Sequence, residues 1–156
     1  MSNGEDSSLT VKRDTTATRR QVWDVMADGW TYSQWVVGNS RMRAVDPNWP
    51  AVGSTIRHSV GVWPFLLDDL TVVAECEPLE RLVLIAKGRP FGKARITMRL
   101  FDRPTGCRIE MAEVPVGLPM GWVPDRVSLI AATPRNRECT WRLAAIAERK
   151  QPRDVN

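Results

Sequence analysis

The strongest constraint on this chain is a change of hydrophobic period. From Ser40 to Pro115 the sequence alternates with period two in short segments, and beyond Gly117-Leu118-Pro119-Met120-Gly121 it switches to helical spacing. The alternating segments lie near Ser40–Asp46, Ser54–Trp63, Asp69–Glu77, Arg81–Arg89, Gly92–Asp102 and Cys107–Pro115. Turn chemistry separates them: Asp46-Pro47-Asn48, Glu77-Pro78, Gly88-Arg89-Pro90 and Asp102-Arg103-Pro104-Thr105-Gly106. Short strands joined by tight turns pair antiparallel. A seventh strand is expected from Leu9, where Leu9, Val11 and Arg13 alternate with Thr10, Lys12 and Asp14.

Helices flank this run. Thr18-Arg19-Arg20-Gln21 has the form of a capping box, and Val22, Trp23, Met26 and Trp30 supply an apolar side, with Gly29 as the expected stop. A second short helical piece is expected around Tyr32–Val37, ended by Gly38, although Trp35-Val36-Val37 fits an extended chain equally. In the last helix Val123, Val127, Ile130 and Ala131 form one stripe, and Cys139, Leu143, Ile146 and Ala147 form another. Pro134 stands between them and removes a helical N–H, so a bend or break is expected near Ala132–Thr133. The polar stretch 1–8 has too little apolar surface to order itself and reads as a disordered tail, 9–149 as one domain, and 150–156 as a frayed tail.

A length of 156 residues with 43% hydrophobic content suffices for one core. No apolar run approaches the roughly 18 residues of a membrane span, and the polar, acidic start is unlike a signal peptide, so stable membrane insertion is not expected and a cytoplasmic location is. Cys76, Cys107 and Cys139 are odd in number and widely spaced, which predicts reduced core thiols. The net charge of +4 is scattered through every element, so nucleic acid is not an expected partner. The sequence is silent on oligomeric state.

Alternation also assigns faces. Leu82, Leu84, Ala86, Ala94, Ile96, Met98 and Leu100 share one side and should face the long helix, opposite Lys87, Lys93, Arg95 and Arg99. The same parity groups Ile109, Met111 and Glu113 in the last strand, with Arg108 and Glu110 outside. It groups Ile56, His58 and Val60, with Arg57 outside. His58 and Glu113 therefore point inward among apolar neighbours, where each needs a hydrogen-bond partner, a water or a ligand. Of the tryptophans, Trp23 is expected in the core, Trp30, Trp35 and Trp63 as lining or closing a pocket, and Trp141 exposed or at an interface.

Known motifs fail. Gly88-Arg89-Pro90-Phe91-Gly92-Lys93 has three residues between its glycines where a phosphate loop has four, and Ala94 stands where a magnesium-binding hydroxyl would. His58-Ser59-Val60-Gly61 lacks the first glycine of a nucleophile elbow, and no second histidine completes a triad or an imidazole metal site. No cofactor or metal is expected.

Particular words then carry a resemblance: Ala27-Asp28-Gly29-Trp30, Trp35-Val36-Val37-Gly38, Asp46-Pro47-Asn48-Trp49-Pro50, Gly53, His58-Ser59-Val60-Gly61-Val62-Trp63-Pro64 and Arg135-Asn136-Arg137-Glu138. With the order of elements, the chain from about Leu9 to Arg149 resembles the SRPBCC superfamily of START and birch-pollen-allergen folds. Within it the chain is most similar to actinobacterial proteins labelled polyketide cyclase/dehydrase and lipid transport. The resemblance implies an α+β helix-grip fold, a curved antiparallel sheet of about seven strands around a long C-terminal helix, with a cavity between them for apolar molecules. The chain departs from that pattern at Pro134, at Thr140, where an apolar residue is expected, and at Trp141, where a charged one is.

Two functions fit. One is binding or carriage of a small hydrophobic molecule, lipid or polyketide-like, with Trp30, Trp35, Ile56, Val60, Trp63, Leu84, Ala86, Ile96, Met98 and Met111 as the expected lining. The other is an aromatase/cyclase or dehydratase in which His58 and Glu113 move protons. A weaker third is a protein-interaction module presenting Trp141 and the arginine-rich last helix.

Overall fold

The computed structural model describes residues 10–88, 92–116 and 125–150, without the side chains of residues 62, 88 and 125–131. Expectations for the two tails, for residues 89–91 and 117–124, and for the stripe of Val123, Val127, Ile130 and Ala131 lie outside the described residues.

The elements are β1 (Val11–Thr15), α1 (Arg19–Met26), a 3-10 turn (Gly29–Thr31), α2 (Tyr32–Trp35), β2 (Asn39–Val45), β3 (Thr55–Val62), β4 (Phe65–Glu77), β5 (Arg81–Gly88), β6 (Gly92–Asp102), β7 (Cys107–Val116) and α3 (Asp125–Arg149). The strands form a seven-stranded antiparallel sheet in the order β1-β7-β6-β5-β4-β3-β2. Every consecutive pair from β2 to β7 is a neighbour, as tight connections require, and β1 closes the far edge against β7. Two short helices follow the first strand and one long helix follows the last, which is the helix-grip arrangement.

The capping box starts α1: the Thr18 amide donates to Gln21 Oε1 (2.8 Å) and the Gln21 amide to Thr18 Oγ1 (3.2 Å). Its end differs from the expected stop at Gly29. The helix closes at Ala27, the Met26 carbonyl accepts a bond from Trp49 Nε1 (3.2 Å), and Asp28 caps the 3-10 turn by accepting from the Trp30 amide (3.2 Å). Gly29 is there for space: a Cβ on it would lie 2.5 Å from Val45 Cγ1 and 3.1 Å from Trp49 Cδ1. Helix α2 is shorter than expected, with Val36 already extended.

Helix α3 does not break at Pro134. It is one helix from Asp125 to Arg149 with Pro134 inside and exposed, so the missing donor removes a bond without ending the element. Its C-terminal half buries Asn136, Cys139, Thr140, Leu143, Ala144 and Ala147 and meets β1, β7, α1 and α2. Thr140, unexpected in an apolar stripe, is fully buried but satisfied: its hydroxyl accepts from Arg13 Nε (3.3 Å) and donates to the Arg137 carbonyl (3.0 Å). Further ties are Thr15 Oγ1 to Glu148 Oε1 (2.6 Å) and the Val37 amide to Cys139 Sγ (3.3 Å).

The concave face follows the parity. Leu82, Leu84, Ile96, Met98, Leu100, Ile109 and Met111 join Trp23, Met26, Trp35 and the α3 stripe in one cluster, with Ala86 packed at its margin. The convex face adds what alternation does not predict, since Val83 and Thr97 are buried there as well. Near them Glu75 pairs with Arg81 (2.7 Å) and with Arg95, in the same cross-strand neighbourhood as Arg99. Long side chains whose stems lie along the sheet exclude water while their heads remain wet.

Two outcomes are expected in urea denaturation. Leu84→Ala should cost about 2–5 kcal/mol by leaving a cavity, whereas Arg95→Ala, which removes a half-exposed pair, should cost less than about 1 kcal/mol; similar losses would show that the two faces are not distinguished by packing. Gly106→Ala should be destabilising by at least about 2 kcal/mol, because Gly106 has φ +81° and its Cβ would lie 1.9 Å from the Thr15 carbonyl oxygen.

Candidate functional site

The interior is not uniformly apolar. Where α2, the middle of the sheet and α3 converge, polar side chains gather from five elements. Tyr32 opens α2 because Thr31 anchors the preceding turn, donating from Oγ1 to the Val25 carbonyl (2.7 Å). The Tyr32 ring meets Trp35 edge-on (centroids 5.5 Å apart, 73°) and lies 5.4 Å from the His58 ring. Its hydroxyl is 3.3 Å from Thr71 Oγ1, which is 2.9 Å from His58 Nε2. Strand parity explains the meeting: His58 on β3 and Thr71 on β4 both project from the concave face, and both are buried.

Burial sets the charges. Desolvation pushes the Tyr32 phenol up to about 12, partly opposed by its Thr71 hydrogen bond and by the nearby Arg135 guanidinium, so Tyr32 is a neutral hydroxyl. Desolvation also lowers the His58 pKa below its ordinary 6.5, against the opposing pull of Asp69, so the imidazole is neutral near pH 7. If Thr71 donates to Nε2, Nδ1 carries the proton and faces the interior as a donor; if Nε2 donates, Nδ1 is a bare acceptor. In both tautomers Nδ1 is buried with no protein partner among the described residues.

The second half of the cluster comes from β7 and α3. Glu113 Oε1 accepts from Arg135 Nη1 (3.3 Å), while Glu113 Oε2, Arg135 Nε and Asn136 Oδ1 are buried without a partner. Trp35 Nε1 is likewise buried and unpaired. His58 and Glu113 do not touch, since β4, β5 and β6 lie between their strands. Arg135 links the two halves, bonded to Glu113 and close enough to act on Tyr32.

Of the expected lining residues, Trp35, Ile56, Leu84, Ile96, Met98 and Met111 are buried in the core cluster, Ala86 is partly buried against it, and Val60 is half-buried. Trp30 and Trp63 stand apart, 57% and 82% exposed. Trp141 is exposed on α3 and Trp23 is in the core. Sequence reasoning missed Tyr32, Thr71, Arg135 and Asn136. Parity could have found Thr71, which stands directly across from Ile56. A cleft of about 590 Å³ is lined by Arg43, Ala44, Arg57, His58, Asp68, Asp69, Leu70 and Lys87, so it reaches the imidazole of the interior cluster.

No family model matches the chain, and no curated protein matches it. Solved structures do. Protein NE0264 from Nitrosomonas europaea is 14% identical with a TM-score of 0.69, over 91% of this chain and 94% of that one. The di-domain ARO/CYC StfQ from the steffimycin biosynthetic pathway is 7% identical with a TM-score of 0.70; the match covers 89% of this chain and 50% of StfQ. Ara h 8.0201 is 8% identical with a TM-score of 0.66, over 89% of this chain and 96% of that one. At these identities the common property is the fold: the chain shares the helix-grip fold of these structures.

Proposed function

We propose that the protein binds a small, mainly apolar molecule bearing oxygen or other polar groups, lipid or polyketide-like, in the interior between the sheet and α3. The observation that carries this reading is the set of buried, unpartnered polar atoms on Trp35, His58, Glu113, Arg135 and Asn136 within an otherwise hydrophobic interior. Leaving such a group unsatisfied costs about 1–3 kcal/mol. A ligand that is apolar over most of its surface and polar at a few points removes that cost while filling apolar space, which is how small-molecule sites are built.

A second reading is favoured by one specific feature, the neutral imidazole of His58 with its interior nitrogen unpaired. In an aromatase/cyclase or dehydratase such a group takes a proton from a polyketone carbon, and the Glu113 carboxylate handles the second proton or orients the substrate through Arg135. StfQ is named as an ARO/CYC, and its likeness in fold supports this reading only by analogy.

Native mass spectrometry of the purified protein should show a one-to-one noncovalent adduct. Trp35→Phe, which removes the indole N–H together with the fused five-membered ring, should weaken that complex by at least about three- to tenfold, roughly 0.7–1.4 kcal/mol. A protein that carries no adduct and fails to bind 1-anilinonaphthalene-8-sulfonate would sink the binding reading. For the enzymatic reading, His58→Ala and Glu113→Gln should abolish turnover of a polyketone while leaving its binding within about tenfold; turnover intact in both variants removes the assignment.

The neutral state of His58 has a pH signature. Its folded-state pKa lies below the ordinary 6.5, so the unfolded chain binds the proton more readily. Stability should be complete above pH 6.5 and decline as pH falls from there through the lower folded-state value. His58→Gln should flatten this part of the profile. An NMR titration with the His58 midpoint at or above 6.5 would contradict the desolvated environment.

A further inference from the structure

The hairpin joining β3 to β4 has no core to belong to. Strand β4 pairs with β5 only from Leu70 onward, and β2 reaches β3 only as far as Asn39 opposite Val60. Gly61 still donates its amide to the Gly38 carbonyl (3.2 Å), but the last pair, Val62 with Phe65, and the Trp63-Pro64 turn pair with neither β2 nor β5 among the described residues. On the β4 side this arm extends roughly 17 Å past the last pair with β5, at about 3.4 Å per residue. Gly61 shapes it, with φ +110° and a position where a Cβ would lie 2.3 Å from the Phe65 carbonyl oxygen.

The tip of the arm is apolar on both faces, while Asp68 and Asp69 stand nearer its base. Phe65 and Leu67 project to one side and Leu66 to the other, and exposures are 82% for Trp63, 83% for Phe65, 39% for Leu66 and 47% for Leu67. A contiguous exposed apolar surface of this kind marks an interaction site. Its shape selects the partner. A folded protein surface would cover one side of a protruding two-stranded ribbon, whereas a fluid apolar phase surrounds both, and tryptophan favours the boundary between that phase and water.

The charges at the arm's base agree. Arg57, Leu70 and Lys87 form one row across β3, β4 and β5, and Arg43, Arg57 and Lys87 outnumber Asp68 and Asp69 among the charged residues that line the cleft. Asp68 engages Arg43, but Arg57 and Lys87 make no ion pair among the described residues, and neither do the exposed Arg41 and Lys93 nearby. Unneutralised cations beside an apolar projection complement anionic phospholipid head groups.

We propose that the β3–β4 arm docks the protein on an anionic lipid bilayer, with Trp63, Phe65, Leu66 and Leu67 in the interfacial layer and Arg57 and Lys87 on head-group phosphates. Docking is peripheral and reversible, because no described helix is long and apolar enough to cross a membrane. It does not depend on what the interior holds.

The test is flotation of the full chain with vesicles of phosphatidylcholine alone and of phosphatidylcholine mixed with phosphatidylglycerol. Binding should favour the anionic vesicles and weaken with added salt. The double substitution Trp63→Ser and Phe65→Ser should lower partitioning by about tenfold or more, with an unchanged circular dichroism spectrum; Arg57→Gln with Lys87→Gln should erase the preference for anionic lipid. Quenching by brominated lipid gives a second readout, larger in the wild type than in the conservative variant Trp63→Phe. No flotation with anionic vesicles, or a serine double variant that binds as well as the wild type, overturns the proposal. So does a self-associating protein that ignores vesicles and becomes monomeric on the same double substitution, which assigns the arm to a second copy of the chain.

Discussion

The structure depends on how α3 is seated. A seven-stranded sheet with one continuous apolar face cannot remain folded in water unless something covers that face, and α3 is the only long helix among the described residues. Its buried stripe of Cys139, Leu143 and Ala147 joins the sheet's leucines and methionines in one cluster, while hydrogen bonds from Arg13, Thr15 and Val37 fix its rotation and height. Those bonds come from β1 and from the chain just past α2, so the helix is located by the N-terminal third of the chain. The first strand and last helix thus close the fold together.

This seating divides the interior. From Cys139 to Ala147 the buried helix face is mainly apolar, with Thr140 as its one hydrogen-bonded polar group. One turn earlier, Asn136 is buried as deeply as Trp35 and His58, and the half-exposed Arg135 brings its Nε inside. An arginine at the edge of the interior is a serviceable anchor, because its planar fork presents several donors in fixed directions. Glu113 neutralises it at one nitrogen and leaves another unpaired. The interior is therefore structurally committed at one end and chemically unfinished at the other.

What the sequence makes legible is periodic. Alternation assigns the concave residues of β5, β6 and β7, and turn chemistry locates six strands to within a few residues, except that β4 starts earlier, at Phe65. The start of β4 escaped because Phe65-Leu66-Leu67 is uniformly apolar and carries no period-two signal. Gly29 misled because a glycine near a helix end reads as a cap, while its reason is the side chain of Val45, a contact no local rule reports. Pro134 does not break the helix because the rule concerns one lost bond, and a helix held by its buried side tolerates that loss on its exposed side. The polar cluster was half visible: parity turned His58 inward, but Tyr32 and Thr71 are 39 residues apart in sequence and meet only through the fold.

The cysteines carry a consequence of the same seating. Burial raises the thiol pKa of Cys76, Cys107 and Cys139, with Cys107 pushed up to about 11, so none offers an appreciable thiolate at neutral pH. Cys139 is shut in further, since its sulfur accepts the Val37 amide proton where α2 meets α3. Cys139 is fully buried, so a reagent reaches that sulfur only when the packing around it opens, and that packing is shared with Tyr32 and Trp35 on α2. The rate at which Cys139 is alkylated is thus a clock for the opening of the interior, built into the chain and requiring no label.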